Sequence, residues 1–171
     1  GRPARGARVM GAPHRDDTAP NGQSDGSFGL AREADRVRHL DPGTPAEDMY
    51  VHYVCDLTER FGYGGRVAVG HVTKMAMAPP DQIVAITKRL VDTGVALTVL
   101  PATDLFLMGR DQYHGVRRGV LPAHRLIPHG VTCSLSSNNI LNPFTPFGDG
   151  SLIRMANMYA NIAQASKPSE I

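Results

Sequence analysis

The sequence has no tryptophan, only two cysteines, and just three lysines (Lys74, Lys88 and Lys167) among its 18 basic residues. Two cysteines as far apart as Cys55 and Cys133 exclude a disulfide scaffold and a cysteine-rich zinc site. No apolar run approaches the ~18 residues that a membrane span needs, so no membrane association is expected. Residues 1–11 are rich in Arg but carry no apolar core, so no secretory signal is expected and a cytoplasmic location follows. A net charge of +2 is too small to drive nucleic-acid binding by phosphate attraction. None of the seven His residues forms an HxH pair or an HExxH motif, which removes the commonest local metal signatures. Gly62-Tyr63-Gly64-Gly65 precedes an apolar run, whereas a phosphate loop follows a strand and opens a helix. What remains is a chain of 171 residues, 42% hydrophobic, large enough to bury a real core in one domain.

Residues 1–44 read as an irregular segment. Val9 to His14 has the pattern of a short strand, residues 15–27 are loop-forming, and Phe28 to Val37 suits a short helix. From residue 45 the pattern becomes regular to residue 171. Met49, Tyr53, Leu57 and Phe61 recur every four residues and predict one face of a helix, with Thr44 as its N-cap and Pro45 at its first position. Gly62, Gly64 and Gly65 end it, and Arg66 to Thr73 reads as an apolar strand. The unit repeats: a helix over Pro80 to Asp92, Gly94, and a strand over Val95 to Leu100; a weaker helix over Gly119 to His129, Gly130, and a strand over Val131 to Leu135. A last helix is expected from Ser151 to Ala165, with Leu152, Met155, Met158, Tyr159 and Ile162 on its apolar side. Helices alternating with near-continuous apolar strands predict a parallel α/β sheet covered on both faces.

In such sheets ligands bind beyond the carboxyl ends of the strands. That rule selects His71 and Thr73, then Thr103 and Asp104 in a long connection, then Ser136 to Asn139. A neutral imidazole at a strand end serves as a metal ligand or a substrate anchor, and serves equally as a core histidine bound to backbone. Amides hold substrates by hydrogen bonds but supply no general base near neutral pH. Arg110, Arg117 and Arg118 bracket the long connection, either as an anion clamp or as solvated loop charge. His52 and His124 fall within predicted helices and are expected at the surface. Cys133 is expected to be buried and unreactive.

Three stretches together, Gly65 to Met75 (GRVAVGHVTKM), Leu100 to Arg118 (LPATDLFLMGRDQYHGVRR) and Gly130 to Gly148 (GVTCSLSSNNILNPFTPFG), resemble the second half of cytosine-deaminase-like, metal-dependent amidohydrolases. Val9 to His14 is similar to an earlier strand end of the same proteins. The resemblance implies part of a (β/α)8 barrel, roughly its last four to five βα units. It implies hydrolysis of a non-peptide carbon–nitrogen bond in a small heterocyclic ring. It also implies a divalent metal, zinc or iron, whose bound water is the nucleophile.

By the same resemblance, His71 takes the place of the sixth-strand histidine and His39 that of the fifth-strand metal ligand. Asn138 stands where an Asp that binds metal and acts as base is expected, and Pro42 stands three residues after His39, where a proton-shuttling Glu is expected. Nothing here matches the first-strand HxH. With about 250 residues in a complete barrel, the chain is expected to be incomplete and weakly active or inactive alone. The other reading is a non-catalytic binding module, in which Asn138, Asn139 and Asp104 hold a small polar heterocycle without metal. A homo-oligomer that completes the barrel is a further expectation.

Overall fold

A computed structural model of the chain describes residues 36–40, 49–116 and 119–171, all within the compact unit Glu33–Ile171. Four strands, β1 (Arg36–Leu40), β2 (Val67–His71), β3 (Ala96–Val99) and β4 (Cys133–Leu135), form one sheet in the order β1-β2-β3-β4. Every neighbouring pair is parallel, with Leu40 opposite His71, Val69 opposite Leu97 and Thr98 opposite Ser134. The crossovers carry α1 (Val51–Arg60), α2 (Pro80–Thr93), α3 (Pro101–Leu107) and, after β4, α4 (Leu152–Ala163). This is the expected α/β arrangement of parallel strands and crossover helices.

The helix ends follow from their sequences. Pro80 occupies the first turn of α2, and Gly94 closes that helix at φ +66°, a left-handed conformation that costs glycine little. A Cβ at Gly94 would also meet the Gly65 backbone nitrogen at 2.8 Å, so two glycines let the α2 terminus and the turn after α1 approach closely. Ser151 caps α4 by accepting a hydrogen bond from the Arg154 N–H.

The principal core lies between the sheet and α1 and α2. Val67, Val69, Val95 and Leu97 pack with Val51, Val54, Cys55, Ile86, Leu90 and Met75. A second cluster joins Val99, Val120, Ala123, Tyr159 and Ala163 against α4. Along β2 and β3 buried residues alternate with the half-buried Ala68, Ala96 and Thr98, and Ser134 on β4 is exposed. Among the described residues, then, one face of the sheet is covered more thoroughly than the other, rather than both equally.

The strand β1 occupies Arg36 and Val37, which the local pattern assigns to a helix; residues 9–14 and 44–48 lie outside the described residues. In α1 the buried positions are Val51, Val54, Cys55 and Thr58, whereas Tyr53 and Phe61 are 56% and 45% exposed. The small face of α1, not its aromatic face, meets α2. The segment before β4 forms two 3-10 turns, Ala123–Arg125 and Ile127–His129, because Pro122 and Pro128 withhold N–H groups that a continuous helix would use. The long connection after β3 begins with α3 rather than loop, with Pro101 at its start. His124 is not at the surface: its ring and backbone N–H both bond the Tyr159 hydroxyl, at 2.8 and 2.9 Å, in a buried position. His52 is exposed, as expected.

Cys133 is partly buried, and its thiol is pushed up to about 11 by removal from water. At pH 8 a thiol of that pKa is thiolate to roughly one part in a thousand, about a hundredfold less than an ordinary cysteine. Alkylation of Cys133 by iodoacetamide, followed by mass spectrometry, is expected to be about a hundredfold slower in the folded than in the unfolded chain. The folded state holds this proton more tightly, so the associated stability is present below pH 9 and is lost as pH rises towards about 11.

Candidate functional site

The carboxyl ends of β2, β3 and β4 converge on one polar cluster. His71 is the last residue of β2, and the chain turns there through two left-handed residues, His71 at φ 69° and Val72 at φ 48°. A β-branched residue in that region is strained by about 1–3 kcal/mol, and Val72 is held there by burial in the core. The turn is closed by the Val72 N–H donating to the Gly70 carbonyl at 3.1 Å. Its consequence is to aim the His71 ring across the sheet towards β3.

There Asp104, on α3, receives it: His71 Nδ1 lies 2.5 Å from Asp104 Oδ1. Asp104 is only 3% exposed. A short bond between a ring N–H and a buried carboxylate is among the stronger side-chain hydrogen bonds, and it leaves Nε2 on the opposite side of the ring. Asn138, beyond β4, completes the cluster. Its Nδ2 lies 3.4 Å from His71 Nε2 and 3.3 Å from Thr103 Oγ1. Asn138 is itself left-handed, at φ 62°, a conformation Asn tolerates better than most residues. Thr103 in turn shares a 2.6 Å hydrogen bond with Thr145, and both threonines are buried.

Of the residues expected at the site, His71, Asp104 and Asn138 therefore meet. Asn139 is bound instead within its own loop, where its Oδ1 accepts from Asn142 Nδ2 at 2.9 Å. The backbone of His39 pairs with Gly70 on the neighbouring strand; its side chain, like Arg117 and Arg118, lies outside the described residues. Arg110 stacks over the Phe106 ring at 4.7 Å rather than joining the cluster. Phe144 and Phe147 are exposed, at 53% and 92%. Thr145 was not marked by any motif; only the fold brings it under Thr103. An open cavity of about 520 Å³, lined by His124, Arg125, Lys167 and Glu170 among others, shares no residue with the cluster.

A metal centre needs three or four converging donors. Among the described residues no three His, Cys, Asp or Glu side chains come together. His71 and Asp104 are bonded to each other, and the third neighbour turns an amide N–H towards the ring. The described residues do not fit a divalent metal.

This arrangement of parallel strands, crossover helices and a polar cluster at the carboxyl ends defines a parallel α/β chain. No protein-family model matches the chain. It is 27% identical over 112 residues to a pterin deaminase of Rhizobium rhizogenes, an alignment spanning 65% of this chain and 26% of that protein. Its fold matches a 5-methylcytosine deaminase from Klebsiella pneumoniae liganded with 5-fluorocytosine at a TM-score of 0.73 and 19% identity, over 78% of this chain and 32% of that one. It also matches N-isopropylammelide isopropylaminohydrolase from Burkholderia multivorans at a TM-score of 0.62 and 16% identity, over 78% of this chain and 31% of that one. The resemblance to deaminase-like amidohydrolases is thus borne out, and the fold is that of part of a TIM-type barrel. The chain spans about a quarter of the curated relative it matches and about a third of each solved neighbour. No helix among the described residues is long and apolar enough to cross a membrane.

Proposed function

We propose that the chain carries a hydrolase-type site for a small heterocycle, of the class that cleaves carbon–nitrogen bonds outside peptides, and that its hydrolytic step is weak or absent in this chain alone. The observation that carries this reading is the His71–Asp104 pair with Asn138 beside it, placed at the carboxyl ends of three adjacent parallel strands. The likeness to a pterin deaminase and to a 5-methylcytosine deaminase supports an aminopyrimidine or pterin ring as the ligand class. The weakness follows from Asn138, which takes the place of an expected Asp and cannot serve as a general base near neutral pH.

The divalent metal implied by the resemblance finds no complete donor set among the described residues, so no step is routed through it. Asn138 also favours the second reading, a binding module without turnover.

Ammonia release from pterin and from cytosine, measured against binding of the same compounds by calorimetry, tests the proposal. Saturable binding is expected, with no ammonia release above the rate of the same compounds in buffer alone. Absence of binding to either compound would overturn the heterocycle reading, and rapid turnover by the unaltered chain would overturn the weak-activity part.

A further inference from the structure

We infer that the open cavity beside the His124–Tyr159 pair is a second binding site, for a small organic monoanion: one carboxylate carried on an apolar body of a few carbons. The cavity shares no residue with the strand-end cluster, so the inference is independent of the heterocycle reading.

The cavity forms between the turns before β4 and the chain that follows α4. Gln164 closes α4 in a left-handed conformation, at φ 55°, and Ser166 and Lys167 then line the same space as Arg125 and Ile127, a volume of about 520 Å³. Part of its wall is held rigidly. The His124 ring is buried, bonds the Tyr159 hydroxyl at 2.8 Å and meets the Tyr159 ring edge-on at 5.8 Å. A recess of about 90 Å³ adjoins the cavity, sharing His124, Ile127 and Glu170 with it, and is walled by Val99, Ala123 and Leu135. A concave space of this size with an apolar end and a few polar groups has the proportions of a small-molecule site.

Charge selects the ligand. Glu170 Oε2 accepts from the Ser166 and Lys167 N–H groups, at 2.8 and 3.1 Å. These two bonds hold the Glu170 carboxyl below the usual carboxylate range, and they engage it with backbone rather than with a cation. Among the described residues neither Arg125 nor Lys167 makes an ion pair. The charges of Arg125 and Lys167 therefore exceed that of Glu170 by one. A single carboxylate balances this excess, and a guanidinium matches its two oxygens. A dianion would set surplus negative charge against Glu170. The apolar recess beside the cations accepts the body of the ligand.

The test titrates the isotopically labelled full chain with benzoate, benzamide, acetate and inorganic phosphate in turn. Nuclear magnetic resonance follows the backbone amides of Arg125 and Lys167 and the ring of His124. Benzoate is expected to give saturable shifts at all three. Benzamide has the ring without the charge, and acetate has the charge without the ring; each is expected to bind about tenfold more weakly. Phosphate is expected to bind more weakly than benzoate. Arg125→Gln and Lys167→Gln, both at exposed positions, are each expected to weaken benzoate about threefold. Ile127→Ser is expected to weaken benzoate and leave acetate unchanged. Benzamide binding as tightly as benzoate, or both glutamine variants binding benzoate as the unaltered chain does, would overturn recognition of an anion. Phosphate binding more tightly than benzoate would overturn the monoanion, and an absence of shifts with benzoate would overturn the site.

Discussion

Asp104→Ala is expected to weaken heterocycle binding about 10- to 100-fold. Asp104 is 3% exposed and accepts from His71 Nδ1 at 2.5 Å. Removing the carboxylate takes away a hydrogen bond to a charged group, worth about 1.5–3 kcal/mol, and with it the contact that orients the His71 ring across the sheet. Asp104→Asn keeps an oxygen that accepts the Nδ1 proton and is expected to retain more affinity than Asp104→Ala. Calorimetric titration of both variants with pterin checks this ordering, with thermal melts to confirm that both remain folded. Equal affinity in the unaltered chain and both variants would mean that the dyad has no part in recognition.

Gly94→Ala is expected to cost clearly more stability than the same methyl addition at Gly62, a turn of nearly the same φ. Gly94 is left-handed at φ +66°, and an added Cβ would lie 2.8 Å from the Gly65 backbone nitrogen. The conformational penalty is about 1–2 kcal/mol, and forcing two backbone segments apart adds about 1–3 kcal/mol. Against a total stability of about 5–15 kcal/mol, that is a large fraction. Gly62→Ala provides the internal comparison, because Gly62 has nearly the same φ, +65°, and nothing within 4 Å of its would-be Cβ. Urea denaturation is expected to place Gly62→Ala about 1–2 kcal/mol below the unaltered chain and Gly94→Ala clearly below both. Equal losses would show that the approach of the two turns is not tight.

The fold was legible where glycine punctuated apolar runs. Gly94 and Gly130 mark the turns before β3 and β4, and both have positive φ. The face of α1 was not legible, because Tyr53 and Phe61 carry the four-residue period while the smaller Val54, Cys55 and Thr58 carry the packing. Size suggests burial, but Tyr53 and Phe61 are 56% and 45% exposed. The turns at Ala123–Arg125 and Ile127–His129 were hidden by helix-like apolar spacing, which the two prolines override. At the site, the strand-end rule and the resemblance brought forward His71, Asp104 and Asn138. Their contacts, between residues 33 and 67 positions apart, depend on strand register and have no local signature. The Thr103–Thr145 bond and the buried His124–Tyr159 pair belong to the same category.

The site proposed for a small heterocycle comprises His71, Asp104 and Asn138. Its most direct test is a titration of the isotopically labelled chain with pterin, followed by the ring resonances of His71 and the side-chain amide resonances of Asn138. The prediction is saturable shifts of both sets, with the His124 ring undisturbed. Shifts confined to His124 and the cavity it lines with Arg125 and Lys167, or no shifts at all, would contradict the claim.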